Sequence, residues 1–213
     1  MPLFRTLVGA FAATVLAAGC SSTGGTIGGI VTAPKFTKGT LSEGRYTAKD
    51  KSFSVAVPFA PGSPAYSAVE IVEKVDAGES QVVFSSPVHP AEVYRVTTFA
   101  DVKAAARLPD ATLASYRKQV DGSSGAPLRQ EKTSPELIDG ILSISHRFSQ
   151  MIPARTVDGK RQKGFVAIHV TCFLQRSTRA AFLSVHRMPE GSSPGAEGGE
   201  ARAAAFLKSF RLR

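Results

Sequence analysis

The sequence predicts an α+β fold in which an antiparallel β-sheet packs against two or more helices. Three observations predict it. Apolar residues alternate with polar ones in several short runs, the pattern of half-buried strands. Two segments change to a helical period, and each carries an apolar stripe. The later strands are joined by short turns, which connect antiparallel neighbours, whereas parallel neighbours need long crossovers.

Phe53, Val55 and Val57 alternate with Ser52, Ser54 and Ala56 and predict a strand that stops at Pro58. Pro58, Pro61, Gly62 and Pro64 make a loop. Residues 69–75 and 81–84 flank Asp76-Ala-Gly-Glu-Ser80, where Gly78 can supply a positive φ, so this pair reads as a hairpin. Residues 92–99 form a further β-rich run. After Pro109, Asp110 is placed to cap a helix over 111–120, with Leu113, Tyr116 and Val120 on one face. The Gly122-Ser-Ser-Gly-Ala-Pro127 stretch closes it. Long strands are predicted at about 141–152, 165–174 and 181–187. The first two connect through Asp158-Gly159, the last two through Arg176-Ser-Thr-Arg179. A final helix over 200–209 carries Ala203, Phe206, Leu207 and Phe210 on one stripe.

The chain opens with one positive charge, Arg5, and an apolar run over residues 7–18, followed by Gly19-Cys20-Ser21-Ser22. Such a run is too short to span a bilayer, which takes about 20 residues. It has the parts of a removable secretory signal. Leu16-Ala-Ala-Gly-Cys20 resembles the lipobox of bacterial lipoproteins. That resemblance implies cleavage after Gly19, a diacylglyceryl group on the Cys20 thiol and acylation of the new amine. Several acyl chains together anchor durably where one does not. By the same resemblance, Ser21 in place of an Asp implies an outer-membrane destination facing the periplasm. Residues 20–44, rich in Gly, Ser and Thr, are expected to be a flexible tether with a reach on the order of 25 Å. Residues 1–19 are thus read as signal, 20–44 as lipidated tether and 45–213 as one domain, a suitable length for a single core.

The 213 residues carry 26 Lys plus Arg against 17 Asp plus Glu, a net +9. These cations are scattered rather than grouped in a stripe, which argues against a nucleic-acid partner. They read first as a solvated basic surface, and such a charge at a membrane can also meet anionic headgroups, acidic envelope polymers or an acidic partner. Of the two cysteines, lipidation of Cys20 leaves Cys172 without an internal partner. Cys172 shares parity with Val166, Ile168, Val170 and Leu174 and is expected to be a buried structural thiol.

The element order, with residues 44–58 near the start and 203–212 at the end, is similar to the PsbP-like fold superfamily, which includes envelope lipoproteins. The resemblance covers about residues 44–213. It implies a shape whose members often act as binding or assembly factors, and it carries over no catalytic residue.

No Gly-x-Ser-x-Gly elbow, phosphate-cradling loop or His-Glu-x-x-His motif is present. Gly24-Gly25 and Gly28-Gly29 belong to the tether. Glu70 and Glu73 fall on opposite faces of one strand. No catalytic residue and no cofactor are expected. If Val170 aligns with Val185 and Cys172 with Leu183, then His169 stands opposite His186 and Thr171 opposite Ser184. Two adjacent imidazoles can bind a metal or sense acid, or simply pack. His146, sharing parity with Leu142, Ile144 and Phe148, is expected on the other face, so no third ligand is evident. The expectation is a membrane-anchored, non-enzymatic envelope lipoprotein that binds a protein or an anionic envelope component. The alternative is a binder of a small ligand, lipid or metal, between sheet and helices.

Overall fold

The computed structural model describes residues 35–36, 39–76, 78–102, 108–157, 160–192 and 195–213. The lipobox, Cys20, tether residues 21–34 and the Asp158-Gly159 turn lie outside the described residues.

In chain order the strands are β1 Lys35–Phe36, β2 Thr40–Ser42, β3 Arg45–Thr47 and β4 Phe53–Ala56, followed by the one-turn helix α1, Pro64–Ser67. Next come β5 Glu70–Asp76, β6 Glu79–Ser85, β7 Glu92–Phe99 and helix α2, Leu108–Ser124. The second half holds β8 Arg129–Ile138, β9 Ile141–Ile152, β10 Arg155–Val157, β11 Lys160–Gln162, β12 Phe165–Arg176 and β13 Arg179–Arg187. Helix α3, Gly199–Ser209, and β14, Arg211–Leu212, close the chain.

The architecture is α+β. The main sheet has eight strands in the order β1-β5-β6-β7-β13-β12-β9-β8. All of its pairs are antiparallel except β1 with β5. A second sheet, β14-β4-β3-β2, is small. Together with α3 it covers one face of the main sheet. There Tyr46, Phe53, Phe84, Tyr94, Phe206 and Phe210 are fully buried in the principal core. The rings interlock: Tyr46 meets Phe84 edge-on at 5.6 Å, and Phe53 stacks on Phe210 at 5.6 Å. The predicted stripe of α3 supplies Ala203, Phe206, Leu207 and Phe210 to this core. Gly199 opens the helix against a buried carboxylate, because a Cβ there would come within 2.7 Å of Glu92 Oε1.

Helix α2 lies over the opposite face, where Tyr116 and Val120 pack with Leu128, Phe148 and Phe182 around the partly buried Leu113. Opposite faces of β13 therefore serve different cores. Leu183 and Val185 enter the principal one, and Phe182 enters the one beneath α2.

Four expectations differ from the structure. Residues 35–36 and 40–42, assigned to the tether by composition, are strands, and Gly39 N–H donates to the buried Tyr46 hydroxyl at 2.9 Å. Helix α2 is longer than 111–120 at both ends, and Asp110 sits inside its first turn. Pro109 is accommodated because a helix's first turn has no N–H partner to lose. Strand β8 had no counterpart, since Arg-Gln-Glu-Lys-Thr-Ser-Pro carries no apolar alternation and includes Pro135. It is an edge strand, where such a sequence is tolerated. Finally, His146 is not on the face opposite the histidine pair. It is the register partner of Thr171, which adjoins Ser184.

Candidate functional site: a histidine pair and a cavity beneath the second helix

Directly paired residues on neighbouring strands point to the same face. The register of β13 and β12 sets Val170 against Val185 and Cys172 against Leu183, which places His169 opposite His186 and Thr171 opposite Ser184. Extending the ladder to both sides gives two adjacent rows. One runs Arg95, Ser184, Thr171, His146, and the other Val93, His186, His169, Phe148. Both lie on the face beneath α2.

Tyr116, on the buried side of α2, reaches down to the pair. Its hydroxyl lies 3.1 Å from His169 Nδ1 and 3.0 Å from His186 Nε2, and the two imidazole centroids are 4.6 Å apart. One hydroxyl has one hydrogen, so it donates to one ring and accepts an N–H from the other. The ring that accepts must be neutral, and burial favours the neutral form of the other as well. Burial lowers the His169 pKa to about 4. Burial, then the neighbouring His169 and Arg95, hold His186 well below its ordinary value. Burial likewise raises the Tyr116 phenol, so it stays protonated.

Four side chains on this face have buried polar atoms without a hydrogen-bond partner: Arg95 Nε, His169 Nε2, Thr171 Oγ1 and Ser184 Oγ. Arg95 is 9% exposed and His169 3%. Arg95 forms no ion pair among the described residues. Burial lowers its pKa, yet a guanidinium does not lose its proton near neutral pH. A positive charge is therefore held in the interior with no carboxylate paired to it among the described residues.

Arg95, His169 and His186 line a cavity of about 110 Å³, with Pro90 and Met188 also in its wall. The rest of its wall is mainly apolar, including Val93, Val120, Ile152, Phe165 and Ala167. Gln150, also in the wall, donates to the Val120 carbonyl at 3.4 Å and to the Ala126 carbonyl, fixing the end of α2 to the sheet.

This arrangement is poorly suited to a metal. Tyr116 occupies the facing nitrogens, Arg95 is a fixed cation nearby, and no group of three or more His, Cys, Asp or Glu capable of holding a metal exists among the described residues. Nor are Ser184 and Thr171 activated as nucleophiles, because neither hydroxyl is hydrogen-bonded to an imidazole. Cys172 points to the principal core, 1% exposed, and burial pushes its thiol up to about 11. Glu73 is buried on that side too, accepting from the Tyr46 hydroxyl at 2.7 Å, whereas Glu70 is exposed.

Arg95 and Tyr116 escaped the sequence reading. Tyr116 registered only as part of an apolar stripe. A signal for Arg95 existed: it shares parity with Val93, Thr97 and Phe99 in the middle of a β-rich run, where a lone charge is out of place.

No protein-family profile matches the chain, and no curated protein matches it. Among solved structures it is similar to CyanoP, the cyanobacterial PsbP of Synechocystis, with a TM-score of 0.50 and 13% identity over 89% of this chain and 98% of that one. The chain has a PsbP-like fold. It is also similar to a Bacteroides thetaiotaomicron protein, with a TM-score of 0.44 and 11% identity over 81% of this chain, and it spans 49% of that protein's length. A third likeness is to the Saccharomyces cerevisiae Ran-binding protein Mog1p, with a TM-score of 0.44 and 9% identity over 81% of this chain and 96% of that one. At 13% identity the PsbP-like fold is a shape, and function has to be argued from the site.

Proposed function

We propose that this PsbP-like domain is a non-catalytic binding module for a small ligand, carried at the bacterial envelope on a lipidated Cys20. The observation that carries the reading is the cavity beneath α2. Its wall is largely apolar, with buried polar groups of Arg95 and His169 on one side. A concave, mostly apolar site with a few convergent polar groups is the usual form of a ligand site. The envelope address rests on the lipobox-like Leu16-Ala-Ala-Gly-Cys20 and the short apolar run before it.

Filling the cavity tests the ligand reading. Native mass spectrometry of the full chain, extracted from envelopes in mild detergent, is expected to show a small bound mass that the Ala167→Leu variant lacks. Equal ligand on both, or ligand on neither, counts against it. The same spectra report the N-terminus: a Cys20 terminus with acyl mass is expected, and an unmodified Cys20 contradicts the anchor.

Binding of an envelope protein is a second reading with its own observation. Leu137 and Leu142 are cross-strand partners on β8 and β9, and with Ile144 they are 54–76% exposed. Exposed neighbouring apolar side chains are common at protein contacts. Crosslinking in envelopes from a photoreactive group at Leu142 tests it, and a reproducible protein adduct is the expected result.

A further inference from the structure

We propose that the cavity beneath α2 binds a small organic monoanion, a carboxylate on a short apolar body, with Arg95 and His169 holding its charge. The proposal rests on reading that cavity as a ligand site and adds the chemical class of the ligand.

Four observations lead to it. First, Arg95 is a buried cation without an ion pair among the described residues, and buried charges in folded proteins are ordinarily paired. An anion is the ligand that pairs it. Second, His169 Nε2 is buried and unpartnered in the same wall. When Tyr116 donates to His169 Nδ1, that ring carries its hydrogen on Nε2 and so presents a second donor. The tautomer that the Tyr116 bridge can select is thus one that suits an anion. A carboxylate has two oxygens, one for the guanidinium and one for the imidazole N–H.

Third, the charge is limited to one. Arg187 also borders the cavity with its Nε unpartnered, but its charge is paired with Glu200 at 3.0 Å, leaving Arg95 as the lining guanidinium without a carboxylate among the described residues. With His169 and His186 neutral, one positive charge suits a monoanion better than phosphate or sulfate, whose desolvation demands more donors. Fourth, the rest of the wall is apolar and the space small. A cavity of roughly 150 Å³ holds a benzene ring, so about 110 Å³ suits four or five heavy atoms. Propionate is of that size.

The test is calorimetric titration of the detergent-solubilised full chain with propionate, its neutral isostere propionamide, and sulfate. Propionate is expected to bind at least about tenfold tighter than propionamide or sulfate, the scale of a charge-assisted hydrogen bond in a desolvated site. Arg95→Met is expected to lose that preference while keeping the far-ultraviolet spectrum of the folded chain. The comparison within wild type stands even if the variant fails to fold. Propionamide binding as tightly as propionate overturns the anion while leaving the ligand site. Sulfate matching propionate overturns the apolar body. An unchanged preference in a folded Arg95→Met removes Arg95 from the site. If no probe binds, the ligand reading fails together with the anion.

Discussion

Arg95 and Ser184 are direct partners across the β7–β13 ladder, both buried, and neither Arg95 Nε nor Ser184 Oγ has a hydrogen-bond partner. A sheet row this polar beneath a helix is expensive unless something satisfies it. The neighbouring row shows how part of that requirement is met, with the Tyr116 hydroxyl serving both imidazoles.

Tyr116→Phe removes that hydroxyl and leaves a nitrogen of each ring unserved. The expected loss of stability is about 1–3 kcal/mol, the usual cost of orphaned buried polar groups. Urea unfolding of the variant against wild type measures it. A variant of unchanged midpoint shows that the bridge contributes nothing.

Stability is expected to fall with acidity. The His169 pKa is about 4 in the folded chain, against about 6.5 when unfolded. Between these values the unfolded chain binds the proton and the folded chain does not, so stability is complete above about pH 6.5 and lost as pH falls towards 4. The loss from His169 alone is on the order of 3 kcal/mol. His186, held well below its ordinary value, acts in the same direction. Urea midpoints measured from neutral pH down through this window are expected to decline, and His169→Gln is expected to flatten the decline.

At the start of β7, Glu92 is 1% exposed and bound by Arg202 through both carboxylate oxygens, with the Tyr94 hydroxyl donating to Oε2 at 2.6 Å. Removing one partner of a buried pair strands the other charge. Arg202→Met is therefore expected to destabilise the domain by about 3 kcal/mol, a calorimetrically visible drop in Tm. Pairing Arg202→Met with Glu92→Gln is expected to recover part of it.

Cys172 is buried among apolar residues with its thiol pushed up to about 11. A thiol-specific reagent at neutral pH is expected to modify it slowly in the folded chain and promptly in urea. Prompt labelling of the folded chain contradicts the burial.

What the sequence disclosed follows from what periodicity can carry. The β12–β13 register was legible because the Arg176-Ser-Thr-Arg179 turn pins it, and Ser177 does take the positive φ of a tight turn. The face of His146 was within reach of the same argument. Strands β10 and β11 pair with Val157 opposite Lys160, and β9 and β12 continue that register with Ile152 opposite Phe165 and His146 opposite Thr171. Parity along β9 alone does not say which face is buried. Strand β8 was hidden by its polar edge sequence. Even so, Asp139-Gly140 between Ile138 and Ile141 is a strong two-residue hairpin signal, and both turn residues have positive φ. The candidate site itself is assembled from β7, β12, β13 and α2. Its key members, Arg95 and Tyr116, meet the histidines only through tertiary packing, which local spacing does not encode.

Methyl NMR of the full chain in detergent tests most directly whether the cavity beneath α2 is a ligand site. On titration with propionate, shifts are expected at Val93, Val120, Ala167 and Met188 in the cavity wall, while Leu183 and Leu212 in the principal core stay fixed. Unmoved cavity methyls at saturating propionate, or shifts spread evenly over both cores, would contradict it.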